Sequence, residues 1–126
     1  MKTVTTLAAV LALTLVAPSA VAHHSAAPFD FQNTTVIEGK VKEFRVLNPH
    51  SYVVLEITDD GHGARDAEYE GMSASIFYRA GYTNDSVKIG DTIRITIAPR
   101  RDGGDGGFII SFVTEDGQDI GFRGFQ

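Results

Sequence analysis

In Thr34-Thr35-Val36-Ile37-Glu38-Gly39-Lys40-Val41-Lys42-Glu43-Phe44-Arg45-Val46-Leu47, apolar and polar residues alternate as in a strand, but the phase of the alternation changes once. Ile37, Gly39 and Val41 share one face, whereas Phe44 and Val46 fall on the other parity. Side chains of a strand alternate faces with period two, so a slip of one residue predicts a bulge, here near Lys42-Glu43. Gly39 permits a sharp bend beside it. A long, bent first strand is what a small closed barrel needs to take part in both of its sheets.

Downstream, Asn48-Pro49 breaks the pattern. Residues 52–57 predict a second strand with Val53, Leu55 and Ile57 inward. Asp59-Asp60-Gly61-His62-Gly63 reads as a turn, and residues 66–70 as a weaker third strand. A short helix is expected over 73–80, capped by Ser73, with Ile76, Phe77 and Ala80 on one face and Gly81 at its stop. Lys88-Ile89-Gly90-Asp91 turns into a fourth strand, in which Ile93, Ile95 and Ile97 alternate with Thr92, Arg94 and Thr96. Residues 100–107 form a glycine-rich loop and 108–113 a fifth strand. This order predicts an all-β fold with a small α element: a five-stranded OB-like barrel with one short helix between strands 3 and 4. A small open sandwich of the same strands is the rival arrangement, which periodicity does not separate from a barrel. The barrel domain is expected over 34–115. The tail, 116–126, holds Phe122 and Phe125 among glycines and carries no assignable pattern.

Upstream, residues 1–22 read as a secretory signal. Lys2 supplies the positive start, residues 7–16 an apolar core too short to span a bilayer, and Ala20-Val21-Ala22 the small residues of a cleavage site. Cleavage there would leave a mature chain beginning at His23, periplasmic or secreted, with an extended arm over 23–33. The chain carries 11 Lys+Arg and 16 Asp+Glu; without Lys2, 10 minus 16 leaves a net charge of about −6. Such an acidic chain, lacking a basic cluster, suits neither nucleic acid nor an anionic membrane surface. There is no cysteine. Disulfides, thiolate ligands and thiol catalysis are therefore excluded, and stability must come from the core of roughly a hundred residues.

Paired histidines at a cleavage point have a specific chemistry. As a mature terminus His23 would offer its α-amine and its ring together, a nitrogen chelate that favours Cu²⁺ over other first-row metals. Metal must then displace a proton from an amine with a reference pKa of about 7.7–8.0. His24 and His50 are the candidates to complete the set. A strand over 34–47 would separate its ends by about 40 Å if straight and by less if coiled, against about 35 Å of reach for the arm. An arm folding back along the barrel could bring His23 to His50, though nothing in the sequence compels it.

His50 follows Asn48-Pro49 in the loop between strands 1 and 2, a loop that OB-like barrels use for binding. The proline stiffens that loop and Asn48 is expected to bond its backbone. With Tyr52 just beyond, Asn48, His50 and Tyr52 form the candidate ligand-binding set. His62, between glycines, reads as a solvated turn residue. The run Asp102-Gly103-Gly104-Asp105-Gly106-Gly107 lacks the alternating carboxylates of a calcium hand and reads as a flexible hairpin. Arg100 and Arg101 beside it are expected to be neutralised by neighbouring aspartates. Asp59-Asp60, Glu68 and Glu70 form no catalytic pair and read as solvated turn and strand face.

His23-His24-Ser25, Phe29-Asp30, Gly39-Lys40-Val41-Lys42-Glu43-Phe44, Asn48-Pro49-His50, Gly90-Asp91, and Pro99 with Asp102-Gly103 together resemble one pattern. It is that of a family of small exported bacterial proteins classed as a domain of unknown function. The resemblance covers nearly all of the mature chain, and the pairing of the two histidine motifs is its most specific part. It implies export and a small β-barrel, and brings no activity with it. Members carry tryptophans after the Asn-Pro-His loop and near the helix; this chain has none, and Tyr52, Tyr69 and Tyr82 stand in such places. The expected function is thus a non-enzymatic exported barrel that binds a small ligand or a divalent metal, with Cu²⁺ the sharpest candidate. The alternative is an interaction module that takes a peptide, glycan or protein partner on the barrel face, through Tyr52, Tyr69 or Arg94.

Overall fold

β1 (Thr35–Arg45) serves two partners, as its phase slip predicts. Its first half pairs with β4 (Thr92–Pro99) and its second with β2 (Ser51–Asp59), both antiparallel. The register with β2 jumps between Val41 and Glu43, which makes Lys42 the bulged residue. Val41 is fully buried before the bulge, and Phe44 packs on the same core after it. At Gly39, where β1 passes from one partner to the other, an added Cβ would lie 2.8 Å from the Glu56 carbonyl oxygen. The coil of the strand therefore leaves no room there for a side chain.

The computed structural model describes residues 27–122. The expected signal segment, His23, His24 and Phe125 lie outside the described residues.

β3 (Gly63–Gly71) forms a long hairpin with β2. α1 (Ala74–Arg79) follows, then β4 and β5 (Gly107–Val113), which are antiparallel. A parallel bridge from Glu70 to Phe108 joins β3 to β5 and closes the barrel in the order β1-β2-β3-β5-β4. That is the OB-like barrel, and the open sandwich is excluded. A further strand, β6 (Asp119–Gly121), pairs with β5 within the tail that carried no readable pattern. Three residues are too few for a period to show, yet Ile120 and Phe122 are buried and the sheet extends past residue 115.

Val41, Val53, Leu55, Ile93, Ile95 and Ile97 line the core as expected, while Ile37 is only partly buried against it. Phe77 of α1 is fully buried, its ring centroid 4.7 Å from Phe122 and 5.9 Å from Phe112. Burying such a ring stabilises the fold by roughly 1.5–3 kcal/mol, so α1 acts as an apolar plug. Ser73 stands at its N-cap position, but its hydroxyl meets that of Ser75 and not a backbone N–H. Tyr69 is 2% exposed and belongs to the core. It is therefore not available to a partner on the barrel face, contrary to expectation, because β3 alternates and Tyr69 shares its inward parity with Ala67. Among the described residues no helix is long and apolar enough to cross a membrane.

Candidate functional site

The loop from β1 to β2 turns through a cis Asn48–Pro49 peptide. Its shape is held by Ser51, which is fully buried. The Leu47 backbone N–H donates to the Ser51 hydroxyl at 3.2 Å, the Leu47 carbonyl accepts from Ala74 N–H at 2.8 Å, and Ser51 N–H donates to the Met72 carbonyl at 2.9 Å. Both ends of the loop are thereby tied to each other and to the start of α1. Asn48 was expected to do this work but is exposed; the short Ser51 side chain does it from beneath.

His50 is presented by this loop with its side chain 28% exposed. Nδ1 pairs with Oε1 of Glu70, and the ring meets Phe108 edge-on, with centroids 6.4 Å apart at 90°. In a neutral ring so paired, Nδ1 carries the hydrogen and Nε2 the lone pair, the arrangement common in metal-ligating histidines. Glu70 stands directly across from Tyr52 in the β2–β3 ladder. The sequence does contain a signal for this: folding the hairpin about the Asp59–Gly63 pair sets residue 52 opposite 70. What it lacks is the loop geometry that turns His50 onto the same carboxylate.

Tyr52, Glu68 and Glu70 lie on the outer face of β2 and β3, the face that OB-like barrels use for ligands. With Phe29, Arg100, Asp105, Gly106 and Gly107 they line a cleft of about 110 Å³. The charges around it are paired. Arg45 reaches Glu68 at 2.7 Å, with its guanidinium 5.2 Å from the Tyr52 ring centroid. Arg100 forks onto Asp102 at 2.6 and 3.0 Å. That fork, helped by the Gly104 amide, holds the Asp102 carboxyl down at about 2. Arg65 bridges Asp59 and Asp105. Arg100 is neutralised by Asp102, as expected, and Arg101 approaches Asp30 at 3.8 Å. The glycine run is not merely flexible, however, because Gly106 packs against β3, where a Cβ would lie 2.6 Å from the Glu68 carbonyl oxygen.

The described part of the arm, 27–33, reaches the same end of the barrel. Arg101 N–H donates to the Pro28 carbonyl and Asp30 N–H to the Pro99 carbonyl, each at 2.8 Å, and Phe29 bridges Arg100. The arm thus continues along β4 into the β4–β5 loop. Phe29 packs on Phe108 with ring centroids 5.6 Å apart, so Phe108 stands between Phe29 and His50. Phe108 thus meets side chains from the segments that flank both ends of β1, the shorter separation expected of a coiled strand. Among the described residues, no group of three His, Cys, Asp or Glu side chains could hold a metal ion. His62 is exposed in its turn.

A closed OB-like barrel with a small cleft on its β2–β3 face, beside a histidine–carboxylate pair, defines a small single-barrel protein by architecture. More particularly, a family model matches residues 10–109, and the chain belongs to that family, DUF6152, a family of unknown function. No curated protein matches it. Among solved structures it is similar to the crystal structure of the ZRD-deleted mutant of TiaS in complex with agmatine, at 10% identity and a TM-score of 0.45. That similarity covers 64% of this chain and 21% of the other, so the chain spans about a fifth of that protein's length.

Proposed function

We propose that the mature protein is a non-enzymatic, exported barrel that binds a divalent metal, Cu²⁺ in preference. The donors are the amine and ring of His23, the ring of His24, and Nε2 of His50. The observation that carries this reading is the row Phe29–Phe108–His50, with centroid steps of 5.6 and 6.4 Å. His24 lies five residues before Phe29, and five extended residues reach about 17 Å. The terminal histidines therefore need no rearrangement of the barrel to meet His50. All-nitrogen donors favour Cu²⁺ over its neighbours.

The test is a competition titration of Cu²⁺ on the mature chain. His50→Ala should lower affinity at least about tenfold, or about 1.4 kcal/mol, with little change in melting temperature. An unchanged affinity removes His50 from the site. The cleft beside Tyr52 favours the second reading, an interaction module. That reading requires partner binding to survive removal of all three histidines and to be lost in Tyr52→Ala.

A further inference from the structure

We infer that the outer edge of β6 and the groove beside it form a docking site for an extended peptide segment, which adds to β6 as a strand and turns an apolar side chain and a carboxylate toward α1. The site shares no residue with the cleft beside Tyr52 and does not rest on the metal reading. β6 ends the sheet order, next to β5. Thr114 N–H donates to the Gln118 carbonyl at 2.9 Å and Phe122 N–H to the Ile110 carbonyl at 3.0 Å, so the backbone groups of residues 118, 120 and 122 face β5. Hydrogen-bonded and non-bonded pairs alternate along an antiparallel ladder. The N–H and C=O of Asp119 and Gly121 therefore point away from β5, and among the described residues nothing bonds them. Such groups, repeating every second residue, match another extended backbone and not a compact ligand.

Three residues alone would be a blunt edge, but a groove runs beside this one. α1 forms its opposite wall with Ile76, Arg79 and Ala80, and the space of about 500 Å³ has room for a side chain such as leucine. Gln118 Nε2 donates to the Gly81 carbonyl at 3.2 Å and ties the start of β6 to the end of α1. The Phe77–Phe122 contact, 4.7 Å between centroids, ties α1 to the residue after β6. The groove is thus preformed. Ile120 is buried in the core that Phe77 also enters. Residues opposite one another in a ladder project to the same face, so the peptide residue opposite Ile120 turns toward α1, as does the residue two positions along. Charge selects the second of these. The Arg79 guanidinium is exposed and forms no ion pair among the described residues, Asp119 included. An unpaired cation on a wall otherwise made by Ile76 and Ala80 favours a carboxylate.

The test titrates the purified protein with two labelled, end-blocked peptides, Thr-Thr-Leu-Thr-Glu-Thr and Thr-Thr-Glu-Thr-Leu-Thr, which put leucine and glutamate on one face in either strand direction. At least one should bind. The Asp119 and Gly121 amides should then gain protection from hydrogen exchange, whereas Ile120, already facing β5, should not change. Arg79→Glu should weaken that binding at least about tenfold and restore it for the peptide with lysine in place of glutamate. Gly121→Pro removes one outward N–H and leaves the bonds to β5, a replacement that edge strands accommodate. It should abolish binding with little change in melting temperature. Should that variant fail to fold, N-methylation of the peptide asks the same question from the other side: one alternate set of nitrogens should be intolerant and the other tolerant. No binding of either peptide at about 1 mM, or binding that leaves the Asp119 and Gly121 amides unprotected, overturns the inference. Binding that is indifferent to charge at residue 79 overturns the choice of a carboxylate and with it the inference as stated. Self-association that protects the same two amides without peptide would make the occupant a second copy, and overturns it too.

Discussion

Gly106 lies so close to Glu68 that an added Cβ would stand 2.6 Å from the Glu68 carbonyl oxygen. The contact presses the β4–β5 loop onto the outer strand of the cleft, beside the Arg65–Asp105 ion pair. Gly106 also has φ of +95°, where a side chain is strained whatever the space. Gly103 has φ of +74° but nothing within 4 Å of its would-be Cβ. Gly103→Ala should therefore cost only the backbone term, about 1–2 kcal/mol. Gly106→Ala should cost clearly more, since the loop must also lift off β3. Urea unfolding of both variants makes the comparison, and equal losses would mean that the contact contributes nothing.

Ser51 and Asn48 offer a second contrast. Removing the Ser51 hydroxyl leaves the Leu47 N–H without its acceptor in a part-buried setting, a loss of about 1–3 kcal/mol. Ser51→Ala should also loosen the loop, read as faster amide exchange at Leu47. Asn48→Ala, on an exposed side chain, should stay within about 0.5 kcal/mol of the parent. If Asn48→Ala proves the costlier change, the loop is not held from beneath.

Ile95 is fully buried and pairs across to Ile37 on one side and Phe112 on the other. Ile95→Ala should lower stability by about 2–5 kcal/mol, because neighbours on two strands cannot collapse into the cavity without breaking ladder register. A change within about 0.5 kcal/mol of the parent, the range usual for surface sites, would place Ile95 outside the core.

What could be read in the sequence was whatever repeats along one strand. The Lys42 bulge was legible because a period-two phase slip is visible in a single row of residues, and so were Val53, Leu55 and the isoleucines of β4. Residues defined by closure were not. The hairpin register sets Glu70 opposite Tyr52, but no local pattern announces the loop turn that brings His50 onto Glu70 or the lone parallel bridge from Glu70 to Phe108. Ser51 looks like any strand-end serine until Leu47 is seen to turn back onto it. Gly106 looks like the glycine of a flexible loop, since a residue kept small for close approach and one kept for freedom are written alike. The arm is a case of a right element with its geometry left open: β1 was legible, but how far it coils, and so how near it brings the arm to His50, was not.

The free amine at residue 23 makes the sharpest demand on the proposed site. In the mature chain His23 would contribute two donors, ring and amine, in one chelate. An added methionine before His23 keeps every imidazole but turns that amine into an amide, whose nitrogen is no longer basic. Copper affinity should fall at least about tenfold, or about 1.4 kcal/mol, in a competition titration of capped against uncapped protein. His23→Ala should be worse than His24→Ala, because only residue 23 supplies two donors. The pH dependence has a fixed sign. Binding needs the deprotonated amine and the neutral rings, so affinity should weaken as pH falls from about 8 toward about 5, first through the amine and then through the imidazoles. In the capped protein only the imidazole part of that fall should remain. Equal affinity and an equal pH profile in the two forms would show that cleavage creates no chelate, and the histidines would then act as ordinary side chains at the end of an arm.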